Sequence, residues 1–145
     1  RARLDALGIL AGTAPAKGPG IVLPITGVEG GVAAPIILDT VQELRAAGAE
    51  AIQVGDERVV ANTWISERDG DLVISGKVVA PPYTIRAIGA ANDLAGAMEI
   101  PGGVTATVRR AEGKTKTEIR DEVVVDALLT LAPPQYARPV PTTTP

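Results

Sequence analysis

Catalytic chemistry has little to draw on in this chain. It contains neither His nor Cys, which removes imidazole bases, thiolate nucleophiles and Cys/His zinc sites. Ser66 and Ser75 are its only serines, and both fall within a stretch patterned as β meander. A Ser–His–Asp arrangement is therefore unattainable. A Ser–Lys dyad with Lys77 is the sole nucleophilic option, and nothing in the spacing favours it. Gly113-Lys114-Thr115 resembles the end of a phosphate loop, yet Val108 stands where the motif needs its first Gly. Gly18-Pro19-Gly20 does not extend to a dinucleotide fingerprint, because Leu23 occupies the third glycine position. Glu67, Asp69 and Asp71 surround a glycine turn and offer oxygen ligands, but their spacing is not that of a calcium loop. They read as a solvated hairpin tip, and Asp121, Glu122 and Asp126 as a solvated surface. Catalytic residues, metal ligands and cofactors are thus expected to be absent.

Recognition chemistry is better supplied. Trp64 is the only Trp, and Tyr83 is one of two tyrosines. With Arg58, Asn62 and Arg86 they crowd into one β-rich region. Trp, Tyr and Arg are the types enriched at interface hot spots, so these five residues form the expected interaction surface. The competing expectation is that Trp64 and Tyr83 fill the core of an aromatic-poor domain. The basic residues Arg109, Arg110, Lys114, Lys116 and Arg120 alternate with Glu112, Glu118, Asp121 and Glu122. That mixture reads as a salt-bridged exposed face. With a net charge of −3, no field draws the chain to nucleic acid.

The elements that must position these residues follow from periodicity. The 145 residues are one domain's worth, and 46% hydrophobic content with 2% aromatic implies a core of Val, Ile, Leu and Ala. Residues 1–17 read as the end of a helix plus a linker. Leu4, Leu7 and Leu10 repeat along that helix, either as a coiled-coil stub or as a short helix docked on the domain. Residues 18–132 form a single domain, and the Pro/Thr-rich residues 133–145 form a disordered tail. Within the domain, Ile21 to Ile25 is a strand, with Pro24 suiting an edge position or a strand end. Gly27 to Ala34 reads as a loop and Pro35 as the first turn of a helix. Ile37, Val41 and Leu44 form that helix's buried stripe, and Gly48 its C-cap. Ala51 to Val54 follows as a strand. Arg58 to Ile65, Leu72 to Ser75, Val78–Val79 and Tyr83 to Ile88 continue as strands, with turns at Gly55-Asp56 and Asp69-Gly70. A short helix starts near Asn92. Val104 to Arg110 fits strand and helix templates alike, and two terminal strands complete the chain. The fold expected is α+β: a ferredoxin-like, mixed or antiparallel sheet with helices on one face and an inserted β meander.

Several of these stretches carry a family resemblance. They are Gly18-Pro19-Gly20 leading into a strand, the run Leu44-Arg45-Ala46-Ala47-Gly48-Ala49-Glu50-Ala51-Ile52, and Arg58-Val59-Val60-Ala61-Asn62-Thr63. Pro81-Pro82-Tyr83 and Ile85-Arg86-Ala87-Ile88-Gly89 complete the set. In this order they resemble the bacterial family known as domain of unknown function 881, with its YlxW and YlxX members, from about Gly18 to Val125. The resemblance implies an N-terminal membrane anchor, then a coiled coil, then this domain outside the cytoplasm. It also implies a role in the cell envelope with a link to cell division, and brings no enzymatic activity, cofactor or catalytic residues. The expected function is a non-catalytic extracytoplasmic interaction module; a small-ligand-binding regulatory domain is the alternative. The expected partner is a protein of the cell envelope, or a second copy met through the upstream helix. The sequence departs from the family pattern at Gly55-Asp56-Glu57 and in Gly30-Gly31-Val32-Ala33-Ala34, both read as loops.

Overall fold

The computed structural model describes residues 2–129. In chain order the elements are α1 (Ala2–Ala11), β1 (Ala16–Thr26), α2 (Gly30–Ala46), β2 (Ala51–Val54), β3 (Glu57–Val59), β4 (Ile65–Arg68) and β5 (Asp71–Ile74). There follow β6 (Lys77–Val79), β7 (Tyr83–Ile88), α3 (Ala91–Met98), α4 (Val104–Arg110), β8 (Lys114–Thr115) and β9 (Glu118–Val125). Six strands form the main sheet in the order β3-β2-β7-β1-β8, with β9 also paired to β1, and β4-β5-β6 form a separate meander. Every ladder is antiparallel among the described residues. The α+β class expected from the pattern is what is seen.

One face of the main sheet carries Ile21, Leu23 and Ile25 of β1, Ile52 and Val54 of β2, and Tyr83, Ile85 and Ala87 of β7. These join Ile37, Val41 and Leu44 of α2, Leu94 and Met98 of α3, and Val104 and Val108 of α4 in the principal core. The helical stripe read from the sequence therefore faces the sheet. Two bonds close α2, from Gly48 N–H to Arg45 O and from Ala49 N–H to Leu44 O, the Schellman pattern. The same core takes Leu72 and Ile74 of β5, with Ile65 and Val79 packed against it, so the meander is fused to the domain through its inner face. The opposite face of the main sheet has its own cluster of Val22, Ala51, Ile88, Val123 and Val125, on which Ile9 of α1 packs. The expectation of helices on one face is thus corrected: among the described residues α2, α3 and α4 lie on the first face and α1 on the second.

Three local expectations need correction. Pro24 does not mark an edge: β1 lies between β7 and the β8/β9 pair. Pro24 pairs in register with Thr84, whose carbonyl turns away to accept Gly55 N–H of the β2 side at 2.9 Å. In such a non-hydrogen-bonded pair the Pro24 backbone also points away, toward the opposite neighbour. That neighbour is interrupted there, between Thr115 and Glu118, so the missing N–H deprives no ladder bond. Second, α2 starts at Gly30, a turn before Pro35. The Gly27–Ala34 loop reading failed because this first turn lacks a side-chain cap and begins with two poor helix formers. Gly30 is required there, since a Cβ would stand 2.5 Å from Leu72 N. Third, the run Arg58 to Ile65 is two strands of different sheets, separated by a turn at Ala61-Asn62. The ambiguous Val104 to Arg110 is helical, with Val104 and Val108 sharing one buried face. The linker boundary near Gly18 falls inside β1. The tail expected at 133–145 and the domain end at 132 lie outside the described residues.

Candidate functional site

The five residues expected on one surface separate into three places. Tyr83 is buried in the principal core, opposite Ile25. Burial, with the nearby Asp71 carboxylate, raises its phenol above the ordinary range. Arg58 is buried too, at 1% exposure, on the second face of the sheet beside Gln53. Its guanidinium donates to Ile9 O at 2.8 Å, Ala14 O at 3.0 Å and Ala127 O at 3.1 Å. Burial holds its pKa below the usual guanidinium value. Neither residue belongs to an exposed surface: strand alternation turned Tyr83 inward, and main-chain carbonyls satisfy a charge that the sequence alone would leave in water. Arg86, on the other side of Gln53, is exposed and lines a shallow cleft with Arg120, Glu122 and Asp126.

Asn62 and Trp64 remain together and exposed. Trp64 is 62% accessible, an unusual state for a side chain that size. Its position is built with care. Val60 N–H donates to Thr63 Oγ1 at 2.7 Å, and Thr63 N–H returns to Val60 O at 3.0 Å. The guanidinium of Arg45, from the last turn of α2, also donates to Val60 O. Ser75 N–H then donates to Trp64 O at 2.8 Å, extending the β4–β5 ladder by one residue. Alternation puts Trp64 on the same meander face as Ser66, Val73 and Val78. Ile65, Leu72, Ile74 and Val79 occupy the other face and anchor it to the core. Val78 is 60% exposed while Val73 between it and Trp64 is buried, so the outer face presents two large apolar side chains, Trp64 and Val78. A bonded turn behind Trp64 means that little main-chain ordering remains to be done on docking.

A second concavity of about 320 Å³ lies between α2 and the Ile100–Val104 segment. Ile36, Ile100 and Val104 give it an apolar side, and Asp39 and Glu43 a carboxylate edge. The two acids are one helical turn apart and exposed. The sequence reading missed this cleft, and it missed Gln53 and Glu99. Glu99 accepts from Thr105 and Thr117 hydroxyls at 3.0 Å each, tying α4 to the segment before β9. Gln53 was findable: it is the lone polar residue in a four-residue strand that is buried throughout. Of the basic cluster, Arg120 pairs with Glu118 at 3.1 Å, both well exposed. Among the described residues no helix is long and apolar enough to cross a membrane, and no three acidic side chains converge on a cation position.

Comparison with known proteins places this architecture. Residues 3–138 match the family described as "Bacterial protein of unknown function (DUF881)". The chain belongs to this family. It is 45% identical over 144 residues to UPF0749 protein Rv1825 of Mycobacterium tuberculosis, a match covering 97% of this chain and 49% of that protein. UPF0749 protein Mb1856 of Mycobacterium bovis matches with the same identity and coverage. UPF0749 protein Rv1823 of Mycobacterium tuberculosis is 33% identical over 107 residues, covering 61% of this chain and 34% of that protein. The chain thus spans about half the length of the first two relatives. It is also similar to the crystal structure of an uncharacterized conserved protein from Mycobacterium tuberculosis. There the TM-score is 0.84 at 43% identity, covering 95% of this chain and 99% of that one. The family assignment made on the ordered motifs holds, over a wider span than those motifs marked.

Proposed function

We propose that this DUF881 domain is a non-catalytic interaction module of the bacterial cell envelope, docking a protein partner on the outer face of its meander. The observation that carries the reading is Trp64, 62% exposed on main chain bonded by Arg45, Thr63 and Ser75. A large amphipathic ring left in water on a rigid support gains most by burial in a partner's pocket. Val78 widens the apolar contact, and Asn62 supplies a polar rim. In the wider reading, an N-terminal anchor holds the domain outside the cytoplasm in a protein linked to cell division. The frame itself we read as ferredoxin-like, since β1, α2 and β2 form a βαβ unit with β7 inserted between its strands.

The test is site-specific photocrosslinking in cells of the full-length protein. A photoreactive residue replaces Trp64 in one strain and the exposed, remote Asp121 in another. The expected result is a discrete protein adduct at position 64 only, lost when Val78 is changed to Asp. Equal labelling at both positions, or none at 64, would remove the reading. The α2–α4 cleft favours a second reading, a small-ligand site, because a pocket of about 320 Å³ stands at the lower end of ligand-sized cavities. Its mark would be a ligand whose binding is abolished by Asp39→Asn with Glu43→Gln and unaffected by Trp64→Ala.

A further inference from the structure

The second face of the main sheet holds an arrangement that an interaction surface does not need. Arg58 and Gln53 are register partners on β3 and β2. Between them they grip main chain from both ends of the domain. Arg58 donates to Ile9 O in the last turn of α1, to Ala14 O in the α1–β1 connection, and to Ala127 O beyond β9. Gln53 Oε1 accepts Asp126 N–H at 3.2 Å and Ala127 N–H at 3.0 Å, while its Nε2 donates to Gly55 O at 2.8 Å. The two ends also meet directly, Leu129 N–H donating to Gly12 O at 2.8 Å. Gly12 is buried in the junction, where a Cβ would stand 2.8 Å from Val60 and 3.1 Å from both Arg58 and Leu129.

We infer that Arg58 and Gln53 form a clasp that couples α1 to residues 126–129, so that the two terminal segments dock and release as one unit. A buried cation is costly unless its charge is compensated. Arg58 lies at 1% exposure; among the described residues it has no carboxylate partner, and its acceptors are carbonyl oxygens. Its Nε already lacks a partner. If α1 leaves, Arg58 loses the Ile9 and Ala14 carbonyls together with the cover that excludes water. A guanidinium left buried with one acceptor is worse off than one in solvent, so it swings out and abandons Ala127. The reverse holds when residues 126–129 leave. Arg58 also places a positive charge at the C-terminal end of α1, where the helix dipole favours it. Whatever precedes α1 is thereby mechanically connected to whatever follows Leu129, through the Arg58–Gln53 clasp and the direct bond from Leu129 to Gly12. This inference is independent of the docking role given to Trp64.

Hydrogen exchange on the full chain, read amide by amide, tests it. Ile9→Asn loosens α1 at its contact with the second cluster, keeps the main-chain carbonyl that Arg58 binds, and sets no carboxylate beside the guanidinium. Exchange at Asp126 and Ala127 is expected to rise about ten-fold or more, while Leu23 and Ile85 in the central ladder hold their rates. Conversely, Gln53→Leu, which removes the acceptor for the C-terminal segment, is expected to speed exchange at Thr13 and Ala14. If Ile9→Asn also releases Leu23 and Ile85, Ile9→Ala provides the milder perturbation. Loosening confined to the perturbed segment, in either direction, would overturn the coupling. Arg58→Met is expected to free both segments, and an Arg58→Met protein that keeps both protected would overturn it as well.

Discussion

A phenol inside an aliphatic core makes stability depend on alkaline pH. Tyr83 has its pKa raised by burial and by Asp71, so the unfolded chain gives up this proton first, near its ordinary value of about 10. The folded state then binds more protons than the unfolded one, and stability falls as pH rises. The contribution is fully present below about pH 10 and is lost as pH climbs through the raised folded value. Denaturant melts across that range should show a steeper alkaline loss for the native protein than for Tyr83→Phe, which has no proton to lose. Trp64 should behave oppositely to Tyr83 in the folded protein. Its ring makes little contact with the core, so Trp64→Ala is expected to change unfolding free energy by no more than about 0.5 kcal/mol in the same melts.

Elements show where close packing leaves no slack. Leu44 ends the buried stripe of α2 and is fully enclosed; Leu44→Ala should cost about 2–5 kcal/mol, read from urea melts. Gly20 lies in β1 where a Cβ would stand 1.9 Å from Ala87 O. The carbonyl belongs to a paired strand and has nowhere to go, so Gly20→Ala should cost about 3 kcal/mol or more by the same measurement. The sequence made α2, β2, β7 and α3 readable because apolar spacing and punctuation agree there. It hid the start of α2, since Gly30-Gly31 looks like a loop and is demanded by β5, far along the chain. It hid the split of Arg58 to Ile65, because a β-rich run says nothing about which sheet each half joins. Two of the five surface residues were misplaced for a related reason. Residue type marks Arg58 and Tyr83 as good for recognition, while their burial depends on the strap after β9 and on the strand face, which are tertiary facts.

The whole molecule joins a six-stranded sheet and a three-stranded meander through one continuous core. Leu72 and Ile74 contribute to the same cluster as Leu23 and Ile85. The meander cannot come away without exposing α2, so Leu72 and Leu23 amides should exchange with the same global free energy in native-state measurements. Earlier exchange of the meander would show two separable units.

The placement of β1 also has a bearing on how the chain is made. Among the described strands it comes earliest in the chain, yet its partners are Tyr83–Ile88, Lys114–Thr115 and Glu118–Val125. A growing polypeptide therefore carries Ile21 to Ile25, its most apolar strand, with no neighbour until the second half has emerged. Folding must wait for distant pairing, which is slow, and an unpaired hydrophobic strand invites association in the meantime. A nascent chain halted after Arg110 would hold β7 on one side of β1 and a bare edge on the other. Ribosome-bound intermediates of that length should be the ones that chaperones retain.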